Sequence, residues 1–231
     1  MSSPIALVLG AGANIGQAVG RKFTANGYRV ALASRTASSD TSGQDSKDGL
    51  FHFRVDLTNP ANVKTLFEQV QASLGVPNVV IYNAGHYVRG PDPFSITPEA
   101  YQETLNVITT SAFAAAREAI NGFEKLPSSS SPKSFLFTGN ALDEIVIQGM
   151  APAGAGKSAT AHLIKAAAAS ETYREKGYTF YYVDERTSTG QPAYNKIDGA
   201  AHADHFFELA SDKNQREWKQ TFVKGKGYVK F

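Results

Sequence analysis

Three glycines directly after a short apolar run are the strongest chemical signal in this sequence. Gly10, Gly12 and Gly16 stand in GAGANIG, behind Ile5–Leu9 (IALVL) and ahead of a helical stretch. Glycine permits a sharp turn and lets a phosphate approach the backbone. The helix N-terminus that follows offers unpaired N–H groups and the positive end of the helix dipole. Strand, turn and helix in that order form the context in which such a turn cradles a pyrophosphate. The next strand ends in Ala33-Ser34-Arg35-Thr36. It carries no acidic residue where a NAD site places one, about 20 residues on, for the ribose hydroxyls. Arg35 could instead pair with a 2′-phosphate, so the pattern predicts NADP(H) in preference to NAD(H). A plain solvated loop charge is the alternative for Arg35.

Other chemistries find less support. The chain has no cysteine, which excludes disulfides, thiolate metal sites, iron–sulfur clusters and cysteine nucleophiles. His202 and His205 stand i, i+3 with Asp204 between them. No third ligand follows, so a surface or interface role is favoured over a metal, and no metal site is predicted. No Gly-x-Ser-x-Gly occurs, which argues against a serine hydrolase. Gly154-Ala155-Gly156-Lys157-Ser158 has Ala151 where a phosphate-binding P-loop needs its first glycine.

The elements that must position these residues alternate along the chain. Strands are predicted at Ile5–Leu9, Arg29–Ala33, Leu50–Val55, Val79–Tyr82, Ser134–Phe137 and Thr179–Val183, with a last one near Phe222 or Tyr228–Phe231. Helices are predicted at Ile15–Asn26 with Gly27 as its stop, Asn62–Leu74, a long helix ending at Phe123, Lys157–Lys176 and Ala200–Ala210. Thr36–Gly49 reads as a surface loop and Ser128–Pro132 as a linker. Strands alternating with helices imply βαβ units. The expected fold is α/β: a single doubly wound Rossmann-type domain over 1–231, with a mostly parallel sheet of about seven strands and helices on both faces.

Several segments together resemble the short-chain dehydrogenase/reductase family. The glycine turn is similar to its Thr-Gly-x-x-x-Gly-x-Gly pattern, with Leu9 at the Thr position and Asn14 in place of the middle glycine. Asn tolerates left-handed backbone better than most residues, so the turn is expected to survive with a polar side chain near the phosphates. Asp56-Leu57 resembles the family's adenine-contacting pair, although an Asp there could equally cap a turn. Tyr82-Asn83-Ala84-Gly85 resembles the family's Asn-Asn-Ala-Gly, with Tyr82 replacing the first Asn. Asn106 matches its helical active-site Asn. The resemblance implies cofactor contacts from Gly10, Gly12, Asn14, Ile15 and Gly16. It further implies contacts from Ser34 and Arg35, from Asp56 and Leu57, from Asn83, Ala84 and Gly85, and from Lys157. The catalytic candidates it implies are Asn106, Lys157 and Asn140.

The catalytic pattern departs from the family's. There a Tyr stands four residues before the Lys and acts as acid or base, with the Lys charge lowering its pKa and a Ser holding the substrate oxygen. Here Ala153 precedes Lys157 by four, and Asn140 takes the Ser position. No Tyr lies between Tyr101 and Tyr173, so no shift of register restores it. His86, Tyr87, Asp143 and Glu144 are substitutes to test. Asp184-Glu185-Arg186 takes the place of a Pro-Gly pair, and the loop from there to Asn195 reads as a substrate lid or a plain connection.

The composition fits this reading. There are 23 Lys plus Arg against 21 Asp plus Glu, a net charge of +2, too balanced to imply nucleic acid or an anionic membrane. No apolar run approaches the roughly 18 residues of a membrane span. The N-terminus has no secretory signal, so a cytoplasmic protein is expected. Two functions stay open at this point. One is an NADP(H)-dependent oxidoreductase for a carbonyl, alcohol or imine in a small organic substrate. The other is a cofactor-binding sensor, scaffold, or non-redox isomerase or cyclase. Small residues in Ser111–Ala116 and Ala159–Ala169, together with the family resemblance, imply a homodimer or homotetramer.

Overall fold

Alternating apolar residues along the first strand divide the molecule into two layers. In the computed structural model β1 (Ile5–Leu9) is buried throughout. Ile5, Leu7 and Leu9 face one core, while Ala6 and Val8 face the other, as the two-residue period of a strand requires. The structure describes residues 3–37, 49–127 and 132–231. Most of the loop expected over Thr36–Gly49, and nearly all of the linker expected over Ser128–Pro132, lie outside these.

The chain continues through α1 (Ile15–Ala25), β2 (Arg29–Ser34), β3 (Leu50–Arg54), α2 (Asn62–Ser73) and β4 (Val79–Tyr82). The second half holds α3 (Pro98–Leu105), α4 (Ser111–Phe123), β5 (Ser134–Thr138), α5 (Ala151–Ala169), α6 (Glu171–Glu175), β6 (Thr179–Arg186), α7 (Gly199–Ser211), β7 (Lys219–Val223) and β8 (Gly227–Tyr228). Among the described residues the sheet has eight strands in the order β3-β2-β1-β4-β5-β6-β7-β8, in keeping with the about seven expected. All pairs are parallel except β7 with the two-residue β8. Val19 and Phe23 of α1 pack beside Phe206 and Leu209 of α7 on one face. The other face carries α2, α4 and α5. Strand order reverses between β1 and β4, so their C-terminal ends flank the crevice in which doubly wound sheets bind ligands. Among the described residues no helix is long and apolar enough to cross a membrane.

Most bounds fall within a residue of the sequence reading, and three elements depart from it by more. The helix expected to open at Lys157 begins at Ala151, so Lys157 lies almost two turns inside it. Pro152 is tolerated in the first turn, where its missing N–H has no partner to lose. Gly156 is favoured because a Cβ there would come 3.0 Å from Ile108. That helix stops at Ala169 because Ser170 is extended, and a short α6 replaces its expected last turns. The long helix ending at Phe123 is interrupted by a π-turn at Asn106–Thr110. Two hydroxyls donate to carbonyls in this turn: Tyr82 to Val107 O at 2.5 Å and Thr160 to Ile108 O at 3.0 Å. Finally, β6 runs on to Arg186, because Asp184, Glu185 and Arg186 pair with Thr221, Phe222 and Val223 of β7.

Candidate active site

The glycine turn is built by close packing between β1, β4 and α1. Gly10 has φ +85°, and a Cβ there would lie 2.4 Å from Ala84 N, so no other residue fits. The Asn83 side chain donates to Gly10 O at 2.8 Å and holds the turn to the end of β4. Gly16 is buried beneath the turn, where a Cβ would meet Ala11 Cα at 2.5 Å. Its place is in packing the helix against the turn. Gly12 faces open space. Within α1, Gln17 and Ala18 donate back to Gly12 O and Asn14 O. The amides ahead of them form the open N-terminus that an anion would meet.

Asn14 differs from expectation. Its φ is −84°, outside the left-handed region. Its amide is engaged by α7: Nδ2 donates to Ile197 O and Oδ1 accepts from Gly199 N, both at 3.0 Å. The side chain anchors the segment before α7 onto the glycine turn, because the N-terminus of α7 supplies an unpaired N–H.

Two cavities meet at this turn. The smaller, about 330 Å³, is lined by Gly10, Gly12, Ser34, Arg35, Asp56 and Leu57, with Asn83, Ala84 and Gly85 on the β4 side. Arg35 is exposed at its rim. Asp56 Oδ1 accepts from Thr58 N at 3.0 Å and from the Thr58 hydroxyl at 2.8 Å. These bonds hold its carboxyl below the usual range, with Arg35 adding a smaller pull in the same direction. The larger cavity, about 780 Å³, shares Gly12, Asn83 and Gly85 and adds Asn14, Ile15, Asn140 and Lys157. Asn106 lines neither cavity. Its Nδ2 donates to Thr58 O at 3.0 Å and its Oδ1 accepts from Gln102 at 2.9 Å, so the side chain clamps α3 to the β3–α2 connection.

Lys157 is 2% exposed at the inner wall of the larger cavity. Its Nζ donates to Thr138 O at 2.7 Å and lies 4.4 Å from the centre of the Phe137 ring. Burial pushes its pKa down to about 7, against the opposing pull of Asp184 and Asp143. Asn140 caps the following turn by accepting from Leu142 N at 3.0 Å. Its backbone exchanges two hydrogen bonds with the Tyr182 hydroxyl.

A charged network lies behind this wall. Arg186 Nε donates to Asp184 Oδ2 at 2.5 Å and Arg186 Nη2 reaches Glu144 at 3.2 Å. Lys219 pairs with Asp143 and Glu144, each at 2.5 Å. Burial raises the Asp184 carboxyl to about 6, with Arg186 opposing, and burial likewise raises Asp143 despite Lys219. Asp184 Oδ1, Asp143 Oδ1 and Thr138 Oγ1 are buried without a hydrogen-bond partner.

The four proposed substitutes separate. Tyr87 lines the larger cavity beside Gly85, and desolvation raises its pKa against a hydrogen bond from the Asn140 side chain. His86 lines only the smaller one, near Thr104 and Glu103. Asp143 and Glu144 belong to the network. His202, expected at a surface or interface, is instead buried. Its Nδ1 faces Glu185 Oε2 at 3.2 Å, and its ring meets the Phe222 edge at 4.9 Å. Among the described residues no cluster of His, Asp and Glu could hold a metal ion. Sequence reasoning missed Tyr182 and Lys219. Asp184 and Arg186 carried a readable signal, since opposite charges two apart share one face of a strand.

Residues 10–184 match the family model described as enoyl-(acyl carrier protein) reductase. "Short chain dehydrogenase/reductase dmxR12" of Cryptosporiopsis sp. (strain 8999) is 42% identical over 244 aligned positions, covering 100% of this chain and 96% of that protein. The chain belongs to the short-chain dehydrogenase/reductase family. By family it is an oxidoreductase. The putative ketoacyl reductase 2 of the granaticin polyketide synthase from Streptomyces violaceoruber is 33% identical, over 47% of this chain and 45% of that protein. Two solved structures share the fold. A metagenomic short-chain oxidoreductase in complex with NADP has a TM-score of 0.78 at 18% identity, covering 94% of this chain and 97% of that one. The 3-ketoacyl-(acyl-carrier-protein) reductase of Brucella melitensis, complexed with NADH, has 0.78 at 16%, covering 96% and 97%.

Proposed function

We propose that this short-chain dehydrogenase/reductase uses NADP(H), in preference to NAD(H), to reduce a carbonyl or imine, or oxidise the corresponding alcohol, in a small organic substrate. The observation that carries this is the pair of cavities joined at Gly12, Asn83 and Gly85. The adenosine half would lie in the smaller one, over Asp56 and Leu57, with its 2′-phosphate at Arg35. The pyrophosphate would rest on the turn at Gly12–Ile15, where Gly12 leaves room and the start of α1 provides N–H donors. The nicotinamide end would enter the larger cavity beside Ile15, Asn83 and Lys157. When bound, the reduced nicotinamide supplies the hydride. Asn140, at the serine's position, would hold the substrate oxygen with its amide. Gly10 and Gly16 support the turn from beneath, and Asn106 supports it through the β3–α2 connection. The names of the relatives, a ketoacyl reductase among them, favour a carbonyl over an imine.

Assembly belongs to the same reading. An apolar groove of about 460 Å³ lies between α4 and α5, with Phe113 54% and Leu163 37% exposed at its edge. We infer that a second copy covers it in a homodimer or homotetramer. A cytoplasmic setting suits the proposal, since a chain without cysteine needs no oxidising compartment.

The test is a fluorescence titration with NADPH and NADH on the native chain and on Arg35→Glu. Loss of one charge-assisted contact, at about 1.5–3 kcal/mol, weakens NADPH by roughly 10- to 100-fold and leaves NADH little changed. Equal weakening of both would refute the placement of the 2′-phosphate. Failure of the native chain to bind either dinucleotide would refute the whole reading.

A further inference from the structure

A buried lysine without a tyrosine is the feature that the family's usual chemistry leaves unexplained. Ala153, one helical turn before Lys157, is fully buried and has no titratable proton. Lys157 has three N–H donors, and one goes to Thr138 O. Around it lie three buried oxygens without partners: Thr138 Oγ1, Asp184 Oδ1 and Asp143 Oδ1. Asp184 is 1% exposed, and its other oxygen is fixed by Arg186. Both Lys157 and Asp184 line the larger cavity, beside Asn140.

We propose that Lys157 itself delivers the proton to the substrate oxygen, and that Asp184 is the positioning residue that keeps this lysine charged. The inference rests on the dinucleotide-dependent reduction proposed above. The carbonyl carbon gains the hydride, and its oxygen takes one proton from the Lys157 ammonium. The product is an alcohol and a neutral amine, and the amine regains its proton from solvent. A proton donor works best when its pKa lies near the operating pH, and burial has brought Lys157 to about 7. An ordinary lysine, at 10.5, would hold its proton too tightly.

The groups facing Lys157 come from several elements. Asp184 comes from β6, Asp143 from the β5–α5 connection, and the Phe137 ring and Thr138 from β5. Behind the acids stand Arg186, Glu144 and Lys219. Tyr87, Glu185 and His202 line the same cavity. The two acids raise the lysine's affinity for its proton. Removing the Asp184 charge must therefore lower it.

The first test reads the lysine directly, without substrate. Nitrogen-15 NMR of lysine-labelled native chain, with Lys157 assigned by its loss in Lys157→Met, should show a midpoint near 7. In Asp184→Asn that midpoint should fall by about one pH unit, the lower end of the effect of a nearby opposite charge. A Lys157 that stays charged above pH 9, or a midpoint unmoved by Asp184→Asn, overturns the proposal. If Asp184→Asn does not fold, Asp143→Asn should shift the midpoint in the same direction by less, and no shift there overturns it equally. The second test follows NADPH oxidation with 9,10-phenanthrenequinone as the probe. The kcat should fall as pH rises through about 7. In Asp184→Asn the limb should move to lower pH, leaving kcat at pH 8 about tenfold reduced and KM little changed. A limb that stays in place in Asp184→Asn and vanishes only in Tyr87→Phe assigns the proton to Tyr87 and overturns the proposal. If NADPH does not bind by fluorescence, the underlying reading fails, and the NMR titration decides the lysine's state on its own.

Discussion

Replacing Lys157 by methionine should make the protein more stable at neutral pH while removing its activity. The reason is the direction of the lysine's shift. Its pKa falls from an ordinary 10.5 to about 7 on folding. Between those values the unfolded chain binds a proton that the folded chain does not, so stability rises with pH across the window. Below pH 7 both states carry the proton, and the full penalty of burying the charge opposes folding. At about 1.4 kcal/mol per unit, that penalty is of the order of 5 kcal/mol. Methionine fills a similar volume without a charge. It forfeits the bond to Thr138 O, a loss of about 1 kcal/mol. Lys157→Met should therefore be more stable by about 3–4 kcal/mol at pH 6, and the gain should disappear as pH nears 10.5. Urea denaturation at pH 6, 8 and 10, followed by the single tryptophan, measures this. That residue, Trp218, packs edge-on against Tyr182 at 6.4 Å. The difference between the two proteins cancels the titrating groups that do not face Lys157, which leaves Asp184 and Asp143 as the acids coupled to it. A difference that is flat with pH, or a methionine variant less stable at pH 6, would refute the argument.

Two further outcomes test other parts of the structure. Tyr82→Phe removes the hydroxyl that donates to Val107 O in the π-turn. Losing that buried hydrogen bond should cost about 1–2 kcal/mol and lower Tm by about 3–6 °C, as calorimetry would show, and an unchanged Tm would mean that the hydroxyl does not hold the π-turn. Phe113→Glu puts a charge at the edge of the groove between α4 and α5. Sedimentation velocity should give a dimer or tetramer for the native chain and a monomer for the variant, and a native monomer would end the assembly proposal.

Most of the fold was legible because its signals are local. Ile5–Leu9 and Val79–Tyr82 are short apolar runs ended by glycine or Asn-Ala-Gly, and both form strands with those boundaries. Gly27 stops α1 with φ +85°, as the sequence implied. The failures came where tertiary partners override local preference. Ala151–Gly156 carries two glycines and a proline and reads as a loop, yet it is helical because Gly156 lets α5 close on Ile108. Asp184-Glu185-Arg186 reads as a polar connection, yet it is strand because β7 pairs with it. Asn14 lines the larger cavity, and its side-chain partners lie more than 180 positions away, at Ile197 and Gly199. No local spacing could announce that contact. The candidate site was legible as a set of motifs around one crevice. Which residues line it, as Tyr87 and Asn140 do, and which brace it, as Asn106 and Gly16 do, depended on packing.

The charged end of β6 and the buried Lys157, with Ala153 four residues before it, read as two sides of one arrangement. Successive strand residues point to opposite faces of a sheet. Asp184 and Arg186 therefore share a face with Lys157 and the β5–α5 connection, while Glu185 turns toward α7 and meets His202 and the Asp198 amide, the latter at 2.8 Å. A lone buried ammonium costs several kcal/mol, and the cation–π contact with Phe137 at 4.4 Å offsets only about 1–2 kcal/mol of that. An acid on the neighbouring strand offsets a further part, and Asp184 is placed to do so. Its own cost is in turn offset by Arg186. Removing Asp184 alone thus leaves two buried cations facing each other's vacated partner, whereas removing Lys157 leaves a carboxylate that Arg186 still holds. That asymmetry is why the methionine at 157 should stabilise the fold and the asparagine at 184 should not.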